Sequence, residues 1–162
     1  MKAKECYCDS RINMKKSAQD YVLFLLSRRD YTVAEVRERL KRKGYDEESG
    51  ESVIRLLSEK KLLDDKRFAR NYSEMHRSWG RIKIKFGLVK KGVPEEIIAG
   101  ISSNEDDDAE LEKAKEAAKI WIKKNNNIPK EKIYNRLAGY LSRQGYRWDV
   151  AKEVLGELVR PN

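Results

Sequence analysis

Leu40-Lys41-Arg42-Lys43-Gly44-Tyr45, Leu88-Val89-Lys90-Lys91-Gly92-Val93 and Leu141-Ser142-Arg143-Gln144-Gly145-Tyr146 are three versions of one phrase: a leucine, three residues, a glycine and an apolar residue. Four residues ahead of each leucine stands a further apolar side chain, Val36, Ile84 or Leu137, one helical turn back on the same face. Glycine enters the left-handed conformation that ends a helix at no steric cost, so each phrase reads as the last turn of a helix and its stop. The glycines lie 48 and then 53 residues apart, which is an internal repeat.

Outward from each phrase the same pattern continues. A second amphipathic stretch follows the glycine: Val53, Ile54 and Leu57, then Ile97, Ile98 and Ile101, then Val150, Val154, Leu155 and Leu158. Another precedes it: Tyr21, Leu25 and Leu26, then Phe68, Tyr72 and Met75, then Ala114, Ala118, Trp121 and Ile122. The repeating unit is three helices. The expected fold is all-α, with about nine helices in three tandem helix-turn-helix-like repeats: a basic tail at 1–17, then repeats at 18–63, 64–103 and 104–162.

Capping chemistry marks the same boundaries. Thr32-Val33-Ala34-Glu35 has the form of a capping box, and Asp64 and Asp65 suit the start of the helix that carries Phe68. Pro94 and Pro129 suit first-turn positions, where a missing amide hydrogen costs nothing. The acidic run Glu105 to Asp108 precedes a helix ending in Lys123 and Lys124, the order that complements a helix dipole, and Asn125-Asn126-Asn127 reads as a loop. One stretch pulls the other way. Arg81-Ile82-Lys83-Ile84-Lys85-Phe86 alternates basic and apolar residues like a half-buried strand. A lone strand among helices would leave its backbone unpaired, so a helix is expected there too, weakened by about 1 kcal/mol through Gly87.

Both charge signs are abundant in the 162 residues, 36 basic and 27 acidic, for a net +9, so location matters more than total. From Lys66 to Gly92 there are nine basic residues and one acid, Glu74, whereas the first and third repeats are close to balanced. A localised basic block favours a polyanionic partner, nucleic acid or a nucleoprotein, over the plainer alternative of a solvated cationic face. Cys6 and Cys8 are too close to staple a fold and too few for a zinc site even with His76, the one histidine, which points to a reducing, cytoplasmic setting. No apolar run approaches a membrane span, and Met1 to Asp9 lack a signal peptide's apolar stretch.

Candidates for catalysis are thin. There is no glycine-rich phosphate loop, no H-E-x-x-H and no metal-ligand spacing, so neither catalytic residues nor a cofactor nor a metal is expected. His76 reads as an ordinary helix residue. Phe68, Tyr72 and Trp79 at helical spacing read as core rather than as stacking platforms for bases. A major-groove reader would concentrate arginine, asparagine or glutamine on one helix, whereas here lysine and arginine spread over two consecutive helices, which suits phosphates or an acidic protein surface.

In order along the chain, Leu62-Leu63-Asp64-Asp65, Phe68-Ala69, Tyr72, Arg77, Gly80, Ile84, Leu88 and Lys91-Gly92-Val93 resemble the central signature of the RecX family. The first repeat is similar to that family as well, through Tyr21, Leu25-Leu26, Arg28-Arg29-Asp30-Tyr31, Glu35, Leu40 and Lys43-Gly44-Tyr45. The likeness covers about residues 18–101; the third repeat follows more loosely, by repeat phase. It implies an elongated, curved array lying in the groove of a RecA recombinase filament on single-stranded DNA. There such proteins oppose filament growth and suppress recombinase, ATPase and coprotease activity, in homologous recombination, DNA repair and the SOS response. The implied protein is a non-enzymatic, monomeric regulator, with a stand-alone helix-turn-helix DNA-binding protein and a generic helical scaffold as alternatives. Candidate contacts to the filament are Arg67, Arg70, Arg77, Arg81, Lys83, Lys85, Lys90 and Lys91. Leu63, Asp65, Phe68, Ala69, Tyr72, Gly80, Leu88 and Gly92 carry the signature chiefly for structural reasons.

Overall fold

The computed structural model describes residues 17–102 and 106–159, and the tail with Cys6 and Cys8 lies outside them. Among the described residues every regular element is a helix. Helices α1 (Ala18–Leu26), α2 (Val33–Lys43) and α3 (Glu47–Glu59) pack together, as do α4 (Asp65–Met75), α5 (Arg81–Lys90) and α6 (Glu95–Ser102), and then α7 (Asp107–Lys124), α8 (Lys130–Gln144) and α9 (Trp148–Leu158). Each triplet buries its own apolar cluster. Val22, Val36, Leu40 and Leu57 centre the first, Phe68, Ala69, Leu88 and Ile98 the second, and Ala118, Leu137, Leu141, Val154 and Leu155 the third. These are the stripes that helical periodicity marks in the sequence, except that Met75, expected on the second stripe with Phe68 and Tyr72, lies at the end of α4 and is exposed.

The three repeat glycines do take the left-handed conformation, with φ of 80°, 72° and 81° at Gly44, Gly92 and Gly145. After each, the amide of the apolar residue reaches back to the repeat leucine's carbonyl: Tyr45 to Leu40, Val93 to Leu88 and Tyr146 to Leu141. This closes the helix end and turns the chain into the next helix. The stretch 81–90 is helical, and its Gly87 has a packing role beyond the expected weakness. A Cβ there would stand 2.3 Å from the Tyr72 hydroxyl oxygen, so glycine is what lets that ring lie against α5.

Two details of capping differ from the sequence expectation. Thr32 Oγ accepts from the Glu35 amide at 3.1 Å, but the Glu35 carboxylate turns away to Arg29 and Lys91, leaving the capping box half formed. Pro129 is the N-cap of α8 and Pro94 immediately precedes α6, each one position earlier than a first-turn residue. Asp64 caps α4 by accepting from the Lys66 and Arg67 amides, while Asp65 is diverted to another triplet.

The joints between triplets follow one plan. The C-terminal end of α5 meets the N-terminal end of α2: Thr32 Oγ donates to the Lys91 carbonyl at 2.6 Å, and Gly92 sits against Ala34, where a Cβ would come within 2.4 Å. The C-terminal end of α8 meets the N-terminal end of α5 in the same way. The Gly80 amide donates to Gln144 O at 2.8 Å, the Ile82 amide to Gly145 O at 3.2 Å, and Tyr146 OH to Ser78 O at 3.0 Å. In the second joint amides orphaned at the start of α5 thus take carbonyls orphaned at the end of α8, and in the first a cap hydroxyl takes the carbonyl. In both, the negative end of one helix dipole faces the positive end of another.

A buried carboxylate completes each joint. Asp65, at the start of α4, accepts from the Val33 amide at 2.9 Å, and Glu110 of α7 accepts from the Arg81 amide at 3.1 Å; Val33 and Arg81 are the first residues of α2 and α5. Burial pushes the Asp65 carboxyl above its ordinary pKa, and the hydrogen bond from Val33 only partly opposes that. Glu110, 1% exposed, also faces the Arg81 guanidinium, which pairs with Asp107 at 2.9 Å.

Candidate partner-binding face of the middle module

Helix α5 is apolar on two sides. Leu88 is fully buried and Ile84 half-buried against the second core, but Ile82, Phe86 and Val89 face outward, 44%, 70% and 54% exposed. At spacings of four and three residues they form one stripe, which Lys85 and Lys90 share. From the neighbouring helix α4 and the turn after it, Arg70, Met75 and Arg77 are also exposed, Met75 to 80%. Scattered exposed apolar residues need no explanation, but a continuous stripe rimmed by cations is the composition of a recognition surface.

The eight expected contact residues divide into two groups. Four are used within the fold. Arg67 donates to the Lys61 and Leu62 carbonyls, closing the turn before α4, and Arg81 is held by Glu110 and Asp107. Lys83 Nζ donates to Gln144 Oε1 at 3.0 Å and lies 4.2 Å from the Trp79 ring centre, while Lys91 pairs with Glu35 at 2.7 Å. The other four, Arg70, Arg77, Lys85 and Lys90, are exposed and make no hydrogen bond or ion pair among the described residues. Charge without an internal partner is the charge available to a ligand.

The signature residues sit in the scaffold. Leu63 closes the first core; Phe68, Ala69 and Leu88 make the second; Asp65, Gly80 and Gly92 are joint residues. Tyr72 is the middle of a ring series, stacked on Phe68 and on His76, with Trp79 edge-on to His76 at 3.9 Å. These rings engage one another. His76 Nδ1 lies 3.1 Å from the Tyr72 carbonyl, and no group of three or more metal-binding side chains occurs among the described residues. Nor is any helix among them long and apolar enough to cross a membrane.

Sequence reading alone did not select Ile82, Phe86 and Val89. The available signal was the alternating run Arg81 to Phe86: once that run is helical, its apolar residues cannot all point to one side.

Three helical triplets in series, joined end to end and presenting a mixed cationic and apolar face, define a helical-repeat protein built for binding. Sequence models of the first and second three-helix domains of RecX match residues 18–57 and 64–100. The regulatory protein RecX of Amycolatopsis mediterranei is 31% identical over 148 residues, covering 90% of this chain and 85% of that one; for Chlorobium limicola the figures are 34% over 149 residues, 90% and 92%. The Clostridium tetani protein of that name is 38% identical over 131 residues, and the chain spans 61% of its length. The crystal structure of RecX from Lactobacillus salivarius superposes with a TM-score of 0.76 at 23% identity, over 87% of this chain and 94% of that one. The chain belongs to the RecX family of regulatory proteins.

Proposed function

We propose that the chain is a non-enzymatic modulator of the RecA recombinase, acting as a cytoplasmic monomer that binds the RecA filament on single-stranded DNA and suppresses its recombinase, ATPase and coprotease activities. One observation carries the reading: Arg70, Arg77, Lys85 and Lys90 are exposed and make no hydrogen bond or ion pair among the described residues, and Lys85 and Lys90 share a face of α5 with the exposed stripe Ile82, Phe86 and Val89. Cations without internal partners give attraction to a nucleoprotein polyanion, and the stripe supplies apolar burial against its protein component. The narrowing from eight candidates to four rests on the internal bonds of Arg67, Arg81, Lys83 and Lys91.

The test adds the pure protein to RecA assembled on single-stranded DNA. ATPase activity and strand exchange should fall with concentration, and no change across the range would refute the proposal. Reversing Arg70, Arg77, Lys85 and Lys90 to glutamate should weaken filament binding at least tenfold, about 1.4 kcal/mol. The helix-turn-helix alternative predicts tight, sequence-preferring binding to bare duplex, which a gel shift separates from weak, salt-steep binding.

A further inference from the structure

The third module carries a cationic cleft that the charge count of the sequence conceals. Between α7 and α8 a cleft of about 500 Å³ is lined by Trp121, Asn125, Ile128, Asn135, Arg136, Gly139 and Arg143. Arg136 and Arg143 lie seven residues apart on one face of α8, with Gly139 between them. Both are exposed, and neither makes a hydrogen bond or an ion pair among the described residues. Four of the module's acids are engaged elsewhere: Asp107 and Glu110 hold Arg81, and Glu112 and Glu157 hold Lys115. In a module of nearly zero net charge, Arg136 and Arg143 make this recess cationic.

Repeat phase shows why the recess exists. Counting back from Gly92 and Gly145, Phe86 and Gly139 occupy equivalent positions, as do Lys90 and Arg143. Where the middle module projects an exposed phenyl ring, the third has no side chain. Trp121 is stacked on Tyr140 at 5.8 Å and forms a wall of the recess, and Asn125 is fixed by donating to the Trp121 carbonyl at 2.8 Å. Two forked guanidinium donors, an indole and two amide side chains in an open cleft match the phosphates and unstacked bases of single-stranded nucleic acid. The edges of a paired duplex offer no splayed base to such a recess.

We propose that this cleft binds single-stranded nucleic acid directly, with Arg136 and Arg143 on phosphates and Trp121 beside a base. It is a contact separate from the α5 face, and it depends on the proposed regulatory reading only for which strand is met. The experiment uses the full chain without recombinase, and follows binding of a labelled oligothymidylate by fluorescence anisotropy across a salt series. Arg136→Gln with Arg143→Gln should lower the slope of log K against log salt by about 1.4, at about 0.7 per phosphate contact on a single strand. Lys119→Gln with Lys152→Gln removes the same charge from exposed sites outside the cleft and should leave the slope unchanged.

Equal slopes for the two double variants would overturn the proposal. So would polyglutamate competing as well as the oligonucleotide, which would make the ligand an acidic protein, or an abasic strand binding as tightly as the normal one, which would exclude the base contact. Because RecA is absent, failure here leaves the filament reading standing. Conversely, loss of filament suppression alongside an intact oligonucleotide slope difference would remove that reading and keep the cleft.

Discussion

Gly80→Ala should separate the second and third modules while leaving the core of each intact. Gly80 has φ −74° and ψ 165°, ordinary values for alanine, so the substitution brings no local strain. Its Cβ, however, would stand 2.3 Å from the Gly145 carbonyl oxygen and 2.4 Å from the Tyr146 nitrogen, backbone atoms that no rotamer change can move. Restoring ordinary contact distances requires the joint to open by about 1 Å. That displacement breaks the 2.8 Å bond from the Gly80 amide to Gln144 O and the 3.2 Å bond from the Ile82 amide to Gly145 O. At about 0.5–1.5 kcal/mol net per bond, the joint loses about 1–3 kcal/mol. Native-state hydrogen exchange at the Ile82 amide reads this directly and should accelerate about fivefold to hundredfold. Gly44→Ala is the comparison. It imposes a left-handed alanine costing about 1–2 kcal/mol, but nothing lies within 4 Å of its Cβ, so exchange should rise in α2 and not at Ile82. Unchanged protection of Ile82 in a folded Gly80→Ala protein would refute the joint described above.

Four further outcomes follow from the same structure. Glu110→Ala strips a buried partner from Arg81 and should cost about 3 kcal/mol in urea unfolding, whereas Glu110→Gln, which can still accept from the Arg81 amide, should cost markedly less. Gly156→Ala, in the interior of α9 with open space around its Cβ, should stabilise by about 0.5–1 kcal/mol, seen as a raised Tm. Burial alone would raise the Glu35 pKa, but hydrogen bonds from Arg29 and Lys91 outweigh it and hold the carboxyl below its ordinary 4.5. The stability Glu35 supplies is therefore complete above that value and is lost as pH falls through the depressed one, so Glu35→Gln should flatten the acid limb of an unfolding profile. Phe86→Ala, at a 70% exposed position, should leave Tm within about 2 °C while weakening binding to RecA filaments; a large drop in Tm would mean that the ring is structural.

The repeat phrase around Gly44, Gly92 and Gly145 made the fold legible, because local stereochemistry dictates where a helix can end. Core stripes were legible for a similar reason: Val36, Leu40 and Leu57 recur at helical spacing whatever lies beyond their own triplet. The joints were not. Asp64 and Asp65 both read as start-of-helix acids, and only the approach of α2 turns the second toward the Val33 amide. The candidate face was half legible. A count of charges marks the basic block from Lys66 to Gly92, but cannot tell Lys85, which makes no hydrogen bond or ion pair among the described residues, from Lys83, which is tied to Gln144 from 61 residues away. Segment charge also misleads in the third repeat, where near-neutrality averages over acids such as Glu110 and Glu157 that are paired away from the cleft and over Arg136 and Arg143, which make no ion pair among the described residues.

Because the second joint pairs main-chain atoms of Gly80 and Ile82 with those of Gln144 and Gly145, and the side chains that reinforce it, Arg81, Glu110 and Tyr146, turn inward, it is indifferent to most of the side chains that its modules display outward. Lysine, phenylalanine or glycine can be set at an outward position of a second helix without altering the distance to the next module. The array therefore behaves as a ruler with interchangeable markings, its graduations held by glycines and carbonyls and its inscriptions free to differ. It is also a ruler with a direction, since every joint sets the end of one helix against the start of another. Laid along any partner that has a polarity of its own, the chain has two distinct orientations, and its cations come into register with the partner's features in only one of them.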